Sequence, residues 1–198
     1  MKQFKYTHLF EDLGSKRAVL ILQGGNFGVD TDFIQTVFHE SVEKGFTTLA
    51  YNFPYYDRGE SSTSEGCVEE VGTVHEALHY LLSTGAEEVL IVAKSVGSVV
   101  VGKVLKEESD IPIPAIVILG IPLKFVDMQD FSGYKVQIIQ GELDKFGDSQ
   151  KVQEAAANAG TKIQIVSING ADHSFRDELG NEPGKQKYAI EAIDWGRV

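Results

Sequence analysis

Six short apolar runs, separated by stretches of helical spacing, constrain the fold of this chain more than any other feature. Most of the runs are rich in β-branched residues and apolar at consecutive positions, which is typical of strands covered on both faces. Strands that alternate with helices form a mostly parallel sheet with helices on both sides. The sequence therefore predicts a doubly wound α/β fold. The runs span residues 18–23, 47–53, 89–94, 115–120, 136–141 and 162–168.

The segments between these runs carry the apolar stripes of amphipathic helices. A stripe from Val71 to Leu82 predicts one helix, and a second helix is expected to begin directly after Ser95. Residues 152–159 and 188–195 are further helix candidates.

The N-terminal part is expected to add one more strand. Residues 4–10 read as a strand that pairs antiparallel with the run at 18–23, through a turn at Gly14 and Ser15. The chain has no internal repeat and no linker-like tract, so we expect residues 1–198 to form a single domain.

Composition restricts the partners and the location of the protein. The formal net charge of −11 disfavours nucleic acid and anionic membranes as partners, because neither gains from an acidic field, but it does not identify a small molecule. One cysteine excludes an internal disulfide framework and fits a reducing compartment. There is no apolar run of membrane-spanning length, and the first residues lack the apolar segment of a secretory signal. We therefore expect a cytoplasmic protein that is a monomer or a homodimer.

Ser95 is the candidate nucleophile. It stands where the run at 89–94 ends and a helix begins, and a serine on such a sharp turn needs small residues two positions before and after it. Ala93 and Gly97 meet that requirement. The backbone N–H of Val96, at the start of the helix, would then point toward an oxyanion. The same segment also fits a serine that only caps an ordinary helix.

Asp144 and His173 complete a candidate catalytic triad with Ser95. Asp144 follows the run at 136–141, and His173 follows the run at 162–168. A serine nucleophile needs a base to take its proton, and the base needs a carboxylate to hold its tautomer. All three residues fall just beyond the carboxyl ends of predicted parallel strands, where ligands bind in such sheets. A turn-forming aspartate and a solvated loop histidine remain the alternatives.

With these segments the chain resembles the α/β-hydrolase superfamily, in particular its small dienelactone-hydrolase-like members. The resemblance covers residues 18–195. The superfamily's G-x-S-x-G motif is similar to the A-K-S-V-G of residues 93–97, with alanine in place of the first glycine. The acid loop resembles residues 141–147, and the histidine loop resembles residues 170–175.

Two further loops carry the resemblance. Residues 57–62 are similar to the superfamily's D-x-R-G-x-G-x-S, and Gln23-Gly24-Gly25 stands where the superfamily usually has His-Gly. The resemblance implies that the N–H of Gly25, or alternatively that of Asn26, is the second oxyanion donor beside Val96.

The resemblance also predicts an active site without a cap. Caps in this superfamily usually follow the strand after the nucleophile helix, and here only residues 121–135 lie between that strand and the next. The walls are then expected to come from residues 25–30, 54–62 and 121–128. The expected substrate-binding side chains are those of Asn26, Phe27, Tyr55, Tyr56 and Leu123.

Two motifs compete with this interpretation. His75, Glu76 and His79 match the H-E-x-x-H pattern of zinc proteases, but both histidines flank the apolar stripe of their helix and no third ligand helix is evident. We therefore expect helix-surface histidines and no metal. Lys94, next to the nucleophile, would favour anionic substrates if it faced the site, but is expected to be solvated.

Taken together, the sequence predicts a serine hydrolase that cleaves an ester, thioester or activated acyl bond of a small molecule without a cofactor. Whether the acyl group passes to water or to another acceptor is left open. The alternative from another class is a non-catalytic α/β-hydrolase-like protein that binds a small molecule or a partner in the same crevice. Ala93 and Gln23, the departures from the superfamily pattern, support that alternative.

Overall fold

The computed structural model describes residues 4–107, 110–181 and 183–196. Its strands are β1 (His8–Glu11), β2 (Arg17–Leu22), β3 (Thr47–Tyr51), β4 (Glu88–Lys94), β5 (Ile116–Leu119), β6 (Val136–Gly141) and β7 (Ile163–Ile168). They form one sheet in the order β1-β3-β2-β4-β5-β6-β7. Every described pairing is parallel except that of β1 with β3. The predicted doubly wound, mostly parallel fold is confirmed.

Helices cover both faces of the sheet. They are α1 (Asp32–Glu43), α2 (Pro54–Asp57), α3 (Val68–Ser83), α4 (Val96–Glu107), α5 (Ser149–Asn158) and α6 (Gln186–Glu191). Helix α1 is an addition to those predicted from apolar stripes, and α6 begins and ends earlier than the helix expected at residues 188–195.

Each central strand contributes to two hydrophobic cores, because successive side chains point to opposite faces of the sheet. Leu20 and Leu22 of β2 pack with residues of α3, α4 and α5 in one core. Val19 and Ile21 of the same strand pack with residues of α1 and α6 in the other. Burial on both faces explains why the strands read as continuous apolar runs.

The partner expected for the N-terminal strand was wrong. Strand β1 pairs antiparallel with β3, with His8 opposite Tyr51, and not with β2. The physical reason is that both edges of β2 are occupied by parallel neighbours, β3 on one side and β4 on the other. The chain crosses the start of β3 instead, where Thr47 Oγ1 accepts hydrogen bonds from the N–H groups of Leu13 and Ser15.

The expected absence of a cap domain is confirmed. The connection from β5 to β6 holds two short 3₁₀ helices, Leu123–Phe125 and Met128–Phe131. A ligand can therefore reach the carboxyl ends of β4, β6 and β7 without passing a cap domain. Among the described helices, none is both long enough and apolar enough to span a membrane.

Candidate active site

Ser95 sits on a tight turn between β4 and α4. Its φ is 49°, a left-handed backbone conformation that a residue with a side chain adopts only at a cost. Ala93 is fully buried. A Cβ on Gly97 would lie 2.9 Å from the carbonyl oxygen of Gln23, so only glycine lets the turn approach the neighbouring strand this closely. The small residue predicted after the serine is therefore required by a close backbone contact.

The structure brings Ser95, His173 and Asp144 together. Ser95 Oγ lies 2.7 Å from His173 Nε2, and His173 Nδ1 lies 2.6 Å from Asp144 Oδ2. Nδ1 donates to the carboxylate, so Nε2 is free to accept the serine proton. This is the arrangement in which an imidazole can act as a general base toward a hydroxyl.

Besides His173, two donors hold the carboxylate of Asp144 in a buried loop. Gln140 Nε2 donates to Asp144 Oδ2 at 2.8 Å, and the N–H of Phe146 donates to Oδ1 at 2.8 Å. Gln140 also accepts the N–H of Ile121 at 2.8 Å, which ties the acid loop to the end of β5. Sequence reasoning missed Gln140; its signal is an amide near the carboxyl end of a strand that is buried on both faces.

The environment of His173 favours its neutral form. Burial lowers the pKa of the imidazole below its ordinary value of 6.5, the hydrogen bond to Asp144 opposes that shift, and the positive charge of Lys94 adds to it. The ring of Phe146 packs edge-on against the imidazole, with the ring centroids 4.6 Å apart. A neutral imidazole is the form that can accept the proton of Ser95.

The expected oxyanion donors lie beside the serine. Val96 is the first residue of α4, so its N–H belongs to the positive end of the helix. In the loop after β2, a Cβ on Gly24 would be 3.5 Å from Ser95 Cβ, and the next residues, Gly25 and Asn26, are exposed. The loop predicted to supply the second donor therefore runs next to the nucleophile.

Gln23, at the position where the superfamily usually has histidine, shapes this loop from within. Its side chain is buried, its Oε1 accepts the N–H of Phe53 at 2.8 Å, and its Nε2 donates to the carbonyl of Gly24 at 3.1 Å. The amide thus fixes the turn that passes beside Ser95.

A cavity of about 890 Å³ adjoins His173. That volume is typical of a small-molecule site. Asn26 and Phe27, two of the five expected substrate-binding residues, line it. Residues of the acid loop and of the loop before α6 also line it. Further aromatic and charged side chains line the cavity, among them Phe33, Phe146, Asp30, Asp32, Lys145, Asp172 and Arg176.

The other three expected substrate-binding residues, Tyr55, Tyr56 and Leu123, lie outside the lining of this cavity. Tyr55 is 1% exposed and belongs to the hydrophobic core. Tyr56 donates from its hydroxyl to Asp30 at 3.1 Å, and Leu123 packs against the backbone of Gly147. Loops 54–62 and 121–128 were assigned to the walls because they follow strand ends, but Tyr55 packs into the core, and Phe125, although 65% exposed, is not among the residues that line this cavity.

Lys94 is buried, contrary to the expectation that it would be solvated. Its residue is 1% exposed, and its Nζ donates to the carbonyl oxygen of His173 at 2.8 Å. Desolvation lowers the pKa of this ammonium group to about 8. It is a second feature of the site that the sequence did not reveal.

The H-E-x-x-H segment lies on α3. His75 Nε2 lies 3.3 Å from a carboxylate oxygen of Glu107, at the end of α4 remote from Ser95, and His79 is exposed. In the part of the chain that the structure describes, no group of three or more His, Cys, Asp or Glu side chains is placed to hold a metal ion.

Comparison with known families agrees with this geometry. The model of the alpha/beta hydrolase domain matches residues 15–194. This chain belongs to the alpha/beta hydrolase family. Family membership supports hydrolase activity for this alpha/beta hydrolase. A search of curated proteins gives no significant match.

Solved structures share the fold of this alpha/beta hydrolase. A putative alpha/beta hydrolase of unknown function from Agrobacterium tumefaciens is 18% identical, with a TM-score of 0.76 over 93% of this chain and 86% of that one. An esterase from Pyrococcus furiosus is 15% identical, with a TM-score of 0.69 over 94% and 91%. A serine hydrolase without lid from Xanthomonas campestris is 15% identical, with a TM-score of 0.67 over 89% and 81%.

Proposed function

We propose that this protein is a serine hydrolase that cleaves an ester, thioester or other activated acyl bond of a small molecule. The proposal depends above all on one observation, the continuous hydrogen-bonded chain from Ser95 Oγ through His173 to Asp144, at 2.7 and 2.6 Å. The esterase and the lidless serine hydrolase among the structural neighbours agree with it. The non-catalytic alternative gives no physical reason for all three groups to be aligned.

In the first half of the reaction, Ser95 Oγ attacks the acyl carbon while His173 Nε2 takes the hydroxyl proton. Asp144 orients the ring and stabilises the imidazolium. The carbonyl oxygen becomes an oxyanion that accepts hydrogen bonds from the N–H groups of Val96 and Gly25. Collapse of the tetrahedral intermediate breaks the bond to the leaving group, which accepts from His173 the proton that came from Ser95.

In the second half, water attacks the acyl-enzyme and gives up a proton to His173 Nε2. The second tetrahedral intermediate breaks the bond to Ser95 Oγ, which recovers its proton from the imidazolium, and the carboxylic acid leaves. The sequence of bond changes needs no cofactor.

The cavity beside His173 is the proposed substrate site. Asn26, Phe27 and the acid loop with Phe146 all contribute to its lining. Because no cap covers this site, we propose small, soluble substrates. The single cysteine and the acidic charge support a cytoplasmic location within the same proposal.

A fluorophosphonate probe tests the proposal without a known substrate. We expect one probe per chain, attached to Ser95, and we expect Ser95→Ala to lose both labelling and the hydrolysis of p-nitrophenyl acetate. Ser98→Ala is the matched control. It removes a nearby hydroxyl, which donates to the Ser95 carbonyl, and keeps the Ser95 side chain in place. Attachment to another residue, or no labelling of the folded protein, would contradict the assignment.

A further inference from the structure

The mechanism does not use Lys94, although it is the residue directly before the nucleophile. Its side chain turns into the protein between two aromatic rings, with Nζ 5.3 Å from the ring centroid of Phe27 and 5.3 Å from that of Phe175. The same Nζ donates to the carbonyl oxygen of His173 at 2.8 Å. Lys94 therefore contacts both the loop after β2 and the loop that carries the base.

The space for this ammonium group depends on Gly120, at the end of β5. Gly120 has a φ of 72°, and a Cβ at this position would lie 3.1 Å from Lys94 Nζ and 3.5 Å from His173 Nδ1. The ammonium group and the imidazole are thus both close to one point at the strand end. A Cβ at residue 120 would be unusually close to the ammonium nitrogen and in ordinary van der Waals contact with the imidazole.

A buried ammonium group is costly unless charge and hydrogen bonds compensate it. The charged groups that act on Lys94 are the carboxylates of Asp144 and Asp172, which favour its protonation. Asp172 and His173 are neighbouring titratable groups on the loop that Lys94 contacts. The other packed segments, residues 24–28 and 119–121, contain no charged residue.

We propose that Lys94 is a positioning residue of the active site, whose buried ammonium group anchors the loop bearing His173 and places a positive charge beside the imidazole. This proposal rests on the function assigned to Ser95 and His173 above. The hydrogen bond to the His173 carbonyl holds the base within reach of Ser95, and the aromatic rings exclude water from the ammonium group.

The charge has a consequence for proton transfer. The positive charge of Lys94 lowers the pKa of His173, in addition to the effect of burial. The imidazole therefore stays unprotonated, and able to act as a base, at more acidic pH. After it has taken the proton from Ser95, the imidazolium is also a stronger acid toward the leaving group.

The test is the titration of His173 in Lys94→Met. The imidazole resonances of the intact protein are monitored by NMR as the pH changes, and those of His173 are assigned by their loss in His173→Gln. We expect the midpoint in Lys94→Met to rise by on the order of one pH unit, the Coulomb effect of one nearby charge. The acid limb of kcat/KM for p-nitrophenyl acetate should move by the same amount. We expect kcat on the plateau to fall roughly 10- to 100-fold because the loop is less firmly held.

Lys103→Met is the matched control. Lys103 lies on α4, roughly 12 Å along the helix from residue 95, so the substitution removes the same charge far from the imidazole. It should leave both the midpoint and kcat unchanged. A folded Lys94→Met protein with the wild-type midpoint would overturn the proposal.

Two readouts separate this proposal from the proposed function. If the wild-type protein neither reacts with a fluorophosphonate nor hydrolyses esters, the proposed function fails, while the NMR midpoints still decide whether Lys94 acts on His173. If Lys94→Met does not fold, NMR of the lysine side chain in the wild-type protein is used instead. A midpoint near 8 for Lys94 supports the buried charge, and one at the ordinary value of 10.5 overturns it.

Discussion

The buried Lys94 should make the stability of this protein depend on pH in an unusual window. In the unfolded chain its amine has the ordinary pKa of 10.5, whereas burial in the native protein lowers the pKa to about 8. Between these values the unfolded chain binds more protons than the native one. The free energy of unfolding therefore rises as the pH rises through this window.

The magnitude follows from the two pKa values. From pH 7 to pH 9.5, a pKa that falls from 10.5 to about 8 on folding raises the free energy of unfolding by about 2 kcal/mol. Lys94→Met removes the titrating group, so its free energy of unfolding should lack this contribution. The change in packing and the lost hydrogen bond to His173 shift the stability of the variant at every pH, and they cancel when its two pH values are compared.

Urea unfolding at pH 7 and pH 9.5 measures the difference. Burial raises the pKa values of Tyr51 and Tyr55, so these residues destabilise the native state as the pH approaches 10. They do so equally in the wild-type protein and in both lysine variants. Between pH 7 and pH 9.5, the free energy of unfolding of the wild-type protein and of the control Lys103→Met should rise by about 2 kcal/mol more than that of Lys94→Met. Parallel pH dependences in all three proteins would refute the reasoning that Lys94 is a buried cation.

Two further predictions concern catalysis. Asp144→Asn should leave the fold intact and lower kcat by about 10⁴, as in the serine-protease case, because the imidazole loses the partner that holds its tautomer. In the control Glu142→Gln, at a carboxylate that accepts the Gly170 N–H, kcat should change less than tenfold. The reverse ranking in steady-state assays would show that the wrong carboxylate was chosen. Across p-nitrophenyl esters, kcat/KM should rise to about six acyl carbons and then level off, since each methylene gains roughly 0.8 kcal/mol only while it is buried. A continued rise through twelve carbons would indicate a deep apolar channel, which the charged lining of the cavity disfavours.

The failures of prediction from sequence have a common cause. Strand β1 was assigned to β2 because strands that are close in sequence often pair. However, β2 lies between β3 and β4, so the edge available to β1 is that of β3. Tyr55 and Leu123 were assigned to the substrate site because their loops follow strand ends. Whether a loop side chain points into the crevice or into the core is decided by packing against distant residues, which local sequence does not encode.

By itself, the sequence determined the layer architecture and the three residues that meet at the strand ends. Apolar runs that alternate with helices form a mostly parallel sheet covered on both faces, and the carboxyl ends of parallel strands lie at the same edge of the sheet. That is why Ser95, Asp144 and His173 were predictable although they are far apart in the chain. Only the tertiary structure decided that Lys94 is buried and that Gln140 holds the acid loop. Both depend on contacts among segments from several strands, and the free energy of a buried polar group is set by the partners that surround it.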